Sequence, residues 1–369
     1  MCGLYSVPYA CHNLLSMLLQ QYGWNTHFEN LYTHYKAKDL QAGRVIAIQG
    51  FRHTLISMTG TAHAMLSGAV MNSKETWELP KVGDWVVFKA YDEQGIIIDI
   101  LPRQNELSRK LPGKTSDKQV IAANIDAAFI IQGLDRDFNL MRVQRYLQQV
   151  LQCNIRPIII LNKKDLVNDP HAYLKQVQEL GYPYPVILAS ALDLQNLNEW
   201  TTQYLQPGKT YILLGSSGVG KSTLLNALLG YQRQREGNMS TANNKGMHTT
   251  TARNLVALSN GSMIIDTPGM REFGITLDQD DTVYVHHPQI EELSAHCRFR
   301  DCTHQHEPGC AIIAAIKSGE VPQPVYRSYL KLIREQYHFQ TNALAKKRIE
   351  RQFGKIAKQV NEHRKNRKY

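Results

Sequence analysis

The chain has 369 residues, 43% of them hydrophobic and 20% charged, with a formal net charge of +10. That length allows two or three domains, and so ordinary a composition excludes a disordered or collagen-like chain. No apolar run approaches the roughly 20 residues of a membrane helix, and no Lys or Arg precedes Lys36, so a secretory leader would lack its basic start.

Residues 1–42 form an N-terminal extension. Leu14–Tyr35 reads as a short helix followed by an aromatic-rich loop; the first sixteen residues carry no pattern, and Met17 is an alternative start. Residues 43–112 read as a small barrel. Its strands are Arg44–Gln49, Thr54–Thr59, Ala64–Val70, Asp84–Ala90 and Ile96–Leu101, punctuated by Gly, Asn, Pro and Asp. Short strands at that spacing fit an oligonucleotide-binding (OB) type barrel, with an SH3-like barrel as rival. Residues 103–119 are polar and basic and read as a linker.

The period then changes across 113–276. Strands are expected at Asp126–Ile131, Pro157–Leu161, Pro185–Ala189, Tyr211–Leu214 and Met263–Ile265. Helices are expected at Leu140–Cys153, Ala172–Leu180, Leu194–Leu205 and Lys221–Leu229. Alternation of this kind predicts an α/β fold with a mostly parallel sheet. Residues 277–369 hold a Cys/His cluster, a helix near Ala311–Lys317 and two longer helical patterns, the second over roughly Gln340–Arg364. From Asn342 to Tyr369 there are ten Lys or Arg against two Glu, a net of +8. Such a tail suits an anionic partner such as nucleic acid, the alternative being a solvated face.

Gly215-Ser216-Ser217-Gly218-Val219-Gly220-Lys221-Ser222, followed by Thr223, has the full G-x-x-x-x-G-K-S form. Its glycines let backbone N–H groups converge on a phosphate, and the helix from Lys221 points its positive end at the same anion. Lys221 is expected to bridge the β- and γ-phosphates, and Ser222 to bind Mg²⁺. Asn162-Lys163-Lys164-Asp165 follows a strand. A carboxylate there accepts both guanine N1–H and the exocyclic amine, a donor pair that adenine lacks. Ser190-Ala191 ends the next strand and offers a backbone N–H to the guanine carbonyl. Asp266-Thr-Pro-Gly269 ends another; Asp266 is expected to hold Mg²⁺ through water, and the Gly269 N–H to sense the γ-phosphate. Thr250 is the expected further Mg²⁺ ligand, with Thr249 and Thr251 as alternatives. Met270 stands where many GTPases carry a glutamine that orients water. A thioether cannot orient water, so His248 is the candidate catalytic group.

The guanine motif lies about fifty residues ahead of the phosphate loop, the reverse of the ordinary GTPase order. The chain therefore looks like a circularly permuted GTPase. Cys297-x4-Cys302-x-His304-x5-Cys310 offers four soft or borderline ligands, the makings of one closed structural Zn²⁺ site, with His296 and His306 as competing imidazoles. Crowded cysteines of this kind suit a reducing, cytoplasmic setting.

Together with Val82-Gly-Asp-Trp-Val86, Ala122-Ala-Asn-Ile-Asp126 and His248–Thr251, these motifs resemble the RsgA (YjeQ/YloQ) family of permuted GTPases. The resemblance implies ribosome-stimulated GTP hydrolysis and contact with rRNA of the small ribosomal subunit during its maturation. It implies zinc on Cys297, Cys302, His304 and Cys310 and a role for His248; a monomer with no membrane partner is the further expectation. One departure is Gly246-Met247, where the family has Gly-Arg. A GTP-gated RNA-binding module with incidental hydrolysis is the rival reading; a P-loop kinase or ATPase is disfavoured by Asp165.

Overall fold

The computed structural model describes residues 18–36, 38–91, 94–110, 118–136, 138–230, 253–266, 288–323, 325–327, 329–330 and 333. The chain divides into two compact units. The first holds Met1–Arg109, Asp117–Val177 and Pro183–Phe273; the second holds Lys110–Ser116, Gln178–Tyr182 and Gly274–Tyr369.

In the first unit, strands β1 (Gln41–Gln49), β2 (Arg52–Ser57), β3 (Gly60–Leu66), β4 (Trp85–Tyr91) and β5 (Gln94–Ile100) close a barrel in the order β1-β2-β3-β5-β4-β1. Four of the five pairings are antiparallel and β3–β5 is parallel, the closure of an OB-type barrel. Bulges at Val45/Ala47 and Val87/Phe88 supply the local bend that closure needs. The buried Phe88 ring fills the interior beside Val45, Leu55, Val86 and Ile97. Gly95 makes room for it, since a Cβ there would lie 2.8 Å from the ring.

Three expectations need correction here. The aromatic-rich stretch is not a loop: Thr26–Lys36 is helix α1. Asn25 Oδ1 accepts the N–H groups of His27 and Phe28, and Phe28 and Tyr32, one turn apart, bury against Trp24 and Trp85. Strand β3 stops at Leu66 because the Ser67 hydroxyl accepts the Val70 N–H and starts helix α2 (Gly68–Ser73). The described parts of the expected linker are structured: β6 (Glu106–Lys110) pairs with β7 (Lys118–Ala123). Arg103 anchors it, with two hydrogen bonds to buried Asp84 (2.9 and 2.8 Å) and one to Glu106 (2.7 Å).

Beyond the barrel the period follows the alternation expected. Strands β8 (Ala127–Gly133), β9 (Arg156–Asn162), β10 (Val186–Leu188), β11 (Thr210–Leu214) and β13 (Met263–Asp266) run parallel in the order β10-β9-β8-β11-β13. Every residue of β8 is buried, as a central parallel strand requires. Helices α3 (Leu140–Gln152), α4 (Pro170–Gln178), α5 (Leu194–Tyr204) and α6 (Lys221–Leu228) connect them. One strand escaped sequence reading: β12 (Asn254–Ala257) runs antiparallel to β13 and also meets β1 at Ala47↔Asn254. Barrel and parallel sheet thereby form a single eleven-stranded sheet.

Arg44 sits at this junction, fully buried. It donates to the carbonyls of Gly83 (3.2 Å), Asn124 (3.1 Å) and Tyr22, and lies 5.4 Å from the Trp85 ring. Burial pushes its guanidinium down to about 10. The second unit's described core packs Ile290, Ile312, Val321, Val325 and Tyr329 around helices α7 (Pro288–Ser294) and α8 (Ala311–Ser318). Among the described residues no helix is long and apolar enough to cross a membrane.

Candidate nucleotide site and metal centre

The phosphate loop joins the buried strand β11 to the first turn of α6. Its glycines are demanded by neighbours. Gly215 has φ +149°, and a Cβ there would lie 2.3 Å from the Ile131 carbonyl; Gly220 has φ +94°, and its Cβ would lie 2.4 Å from Asn162 Nδ2. Asn162 is 2% exposed and donates from Nδ2 to the Val219 carbonyl at 2.8 Å. The first residue of the guanine motif thus braces the phosphate loop, across the intervening strand β8.

Lys221 Nζ donates to the Gly215 and Ser216 carbonyls at 2.7 and 2.6 Å. Desolvation pushes its ammonium down to about 8. A phosphate arriving in the loop would supply the negative charge that holds this proton. Ser222 is exposed at the helix start, and Asp266 ends β13, the strand beside β11. That placement suits the hydrated Mg²⁺ expected of them.

On the base side, Lys163 takes the left-handed conformation (φ 65°) and pairs with Asp135 at 2.6 Å. Lys164 pairs with Asp193 at 3.0 Å, and its backbone N–H donates to the Ala189 carbonyl at 3.1 Å. Asp165, beyond them, is exposed. Ser190 is buried; its hydroxyl accepts the Leu192 N–H, which holds the Ser190-Ala191 turn. Ser217, Gly218 and Thr223 complete the loop and first turn. His248, Thr249, Thr250, Thr251, Gly269 and Met270 lie outside the described residues. Arg142, unnoticed in the sequence, donates from α3 to Ser216 Oγ at 2.9 Å and adds a guanidinium beside the loop. An arginine on a helix's polar side gives no sequence signal of such a partner.

In the second unit the ligand atoms of Cys297, Cys302, His304 and Cys310 all lie within 4.8 Å of one another. Cys297 Sγ is 3.5 Å and Cys310 Sγ 3.6 Å from His304 Nδ1, and the two sulfurs are 3.9 Å apart. A tetrahedron with Zn–S bonds near 2.3 Å has edges of about 3.8 Å, so the set fits zinc. His296 and His306 are outside the cluster. Burial, with the Cys310 and Cys297 thiols, pushes the Cys302 thiol up to about 12, a crowding that a divalent cation would relieve. The loop is pre-shaped. Glu307 accepts the N–H groups of Thr303, Gln305 and His306, His304 is held at φ 61°, and Tyr326 donates to the His304 carbonyl at 2.7 Å.

Comparison with known proteins agrees with this geometry. The family model described as RsgA GTPase matches residues 100–276. A small ribosomal subunit biogenesis GTPase RsgA 1 of Bacteroides thetaiotaomicron is 36% identical over 349 residues, 94% of this chain and 98% of that one. Its counterpart in Syntrophotalea carbinolica is 39% identical over 323 residues, 85% and 88% of the two chains. Among solved structures, YjeQ from Thermotoga maritima matches with a TM-score of 0.59 and 25% identity, covering 81% of this chain and 99% of that one. YloQ, titled a circularly permuted GTPase, matches with 0.59 and 26%, covering 83% and 98%. Permuted motif order, a closed barrel ahead of the phosphate loop, a Cys3His cluster behind it and relatedness along nearly the whole length converge: the chain belongs to the RsgA family of GTP-hydrolysing enzymes.

Proposed function

We propose that this GTPase binds the small ribosomal subunit, hydrolyses GTP during the subunit's late maturation, and is stimulated and released by that encounter. The observation that carries the nucleotide half is the Asn162–Val219 hydrogen bond, which ties a guanine reader to a phosphate cradle with Asp165 left open. The ribosomal half rests on relatives named for small-subunit biogenesis across 85–94% of this chain and on a basic, closed-barrel chain of net charge +10. We assign residues 1–42 to an extension, 43–112 to the barrel, 113–276 to the GTPase domain and 277–369 to the zinc domain with its basic tail.

In this reading Asp165 accepts two guanine donors, the Ala191 N–H meets the base carbonyl, and backbone N–H groups of 216–223 hold the phosphates. Ser222, Thr250 and Asp266 would hold Mg²⁺, which supplies charge neutralisation at the β- and γ-phosphates. The Gly269 N–H senses the γ-phosphate. His248 holds the attacking water in place of the absent glutamine. One Zn²⁺ on Cys297, Cys302, His304 and Cys310 is structural. The protein works as a cytoplasmic monomer, with GTP, GDP and small-subunit rRNA as partners.

The test is steady-state turnover alone, with small subunits and with large subunits. Stimulation by small subunits only is expected; equal turnover in all three would sink the proposal. His248→Ala should cut stimulated turnover by about 10²-fold or more, with GTP affinity within a few-fold. Unchanged stimulated turnover in that variant would move the water-orienting role elsewhere.

A further inference from the structure

Phe299 is 42% exposed, and among the described residues of the second unit it is the one large hydrophobic side chain so open to water. It sits between Arg298 and Arg300, both exposed, two residues after a cysteine of the metal cluster. The Arg298 guanidinium lies 5.5 Å from the ring centroid.

The turn is built rather than loose. The Arg298 N–H donates to the Gly309 carbonyl at 3.1 Å, and the Cys302 N–H to the Phe299 carbonyl at 3.4 Å. The Arg298 stem lies against Gly309, where an added Cβ would sit 3.0 Å from Arg298 Cβ. The backbone at Arg298 and at Phe299 is thus tied into the metal loop, which lowers the entropy cost of ordering that stretch on binding.

We propose that Arg298-Phe299-Arg300 is a contact site for an unpaired RNA base, with Phe299 stacked on the base and the two arginines reaching its flanking phosphates. A flat exposed ring flanked in sequence by two arginines is a combination suited to single-stranded RNA, because every base has a π-face and every linkage an anion. Asp301, also exposed, removes one positive charge nearby, so the ring rather than net charge carries the affinity. The inference rests on the reading above that RNA of the small subunit is the partner.

The test uses the full, zinc-loaded chain and a single-stranded RNA oligomer carrying one 2-aminopurine, with duplex RNA of the same sequence as control. Wild type should quench the probe on the single strand and leave the duplex unquenched. Phe299→Ala should weaken single-strand binding by about tenfold or more and abolish the quenching. Its salt dependence should stay as in wild type; Phe299→Trp should restore both affinity and quenching. Arg298→Ala with Arg300→Ala should lower the salt slope by up to about 2. Zinc content is measured on each variant; if Phe299→Ala loses metal, Phe299→Leu, which keeps apolar bulk without a π-face, takes its place, and wild-type affinity and quenching in a zinc-loaded Phe299→Leu would overturn the inference.

Equal affinity and quenching in wild type and Phe299→Ala would overturn the inference. So would loss of small-subunit binding in Phe299→Ala with oligomer binding intact, which would make the ring a protein contact. Either result leaves the ribosomal reading standing as long as wild type binds small subunits; wild type that ignores them overturns that reading instead.

Discussion

At the scale of single residues, the proposed function makes two side chains decide what the nucleotide site accepts. Asp165 is exposed beyond the Lys163–Asp135 pair, a placement that leaves its carboxylate accessible to a base. Asp165→Asn swaps an acceptor for a donor. It should weaken GTP by about tenfold or more and favour xanthine nucleotide; unchanged GTP affinity in a titration would remove Asp165 from the base site. Lys221, pushed down to about 8 by desolvation, must carry its proton to hold phosphate. Bound phosphate raises that pKa. Affinity should therefore be level below about pH 8 and decline above it, by at most about tenfold per pH unit. GDP titrations between about pH 7 and about pH 9 read this directly, and Lys221→Arg, always charged, should flatten the profile. A wild-type profile flat to about pH 9 would exclude that proton from binding. Both residues stand out in the sequence as candidates because their motifs are local spacings. Arg44 and Arg142 were not. Their acceptors are carbonyls and a hydroxyl supplied by segments 22 to 80 residues away, and no spacing along the chain encodes such partners.

Elements were legible where one physical rule governed the segment. The buried run of β8 and the apolar period of α3 announced themselves. The stretch 103–119 did not: its charges look solvated, yet Arg103 and Glu106 are consumed by an ion-pair network with Asp84 and Lys118. The aromatic stretch before the barrel misled for the opposite reason, since rings spaced one turn apart make a helix only when a partner such as Trp85 awaits them. Strand β12 has only four residues and shows its pairing in space alone. The Cys/His loop is the element whose prediction is sharpest. Purified protein should hold one zinc per chain. Cys297→Ala or Cys310→Ala should lose it and open residues 290–333 to protease, because such sites supply folding energy outright. Elemental analysis that finds no zinc in fresh wild type would refute the site.

For the molecule as a whole, the basic stretch 342–369 lies outside the described residues, and its charge alone motivates a prediction. Removing it should weaken small-subunit binding and lower the salt slope, since each phosphate neutralised releases counterions. Intrinsic hydrolysis should hold, because none of the proposed nucleotide ligands is lost. An identical slope after truncation would make the tail a solvated face. Within the first unit a different kind of connection exists. Asn254 pairs with Asp266 on one side and with Ala47 of the barrel on the other. A single residue of β12 thus stands between a proposed magnesium ligand and the barrel wall. Two binding events that share such a brace obey a closed thermodynamic square, in which each shifts the other's equilibrium by the same factor. Measured around the four corners, the free energies must sum to zero. A barrel that grips its partner more tightly in the GTP form is, by the same factor, a barrel whose partner keeps the enzyme charged with GTP.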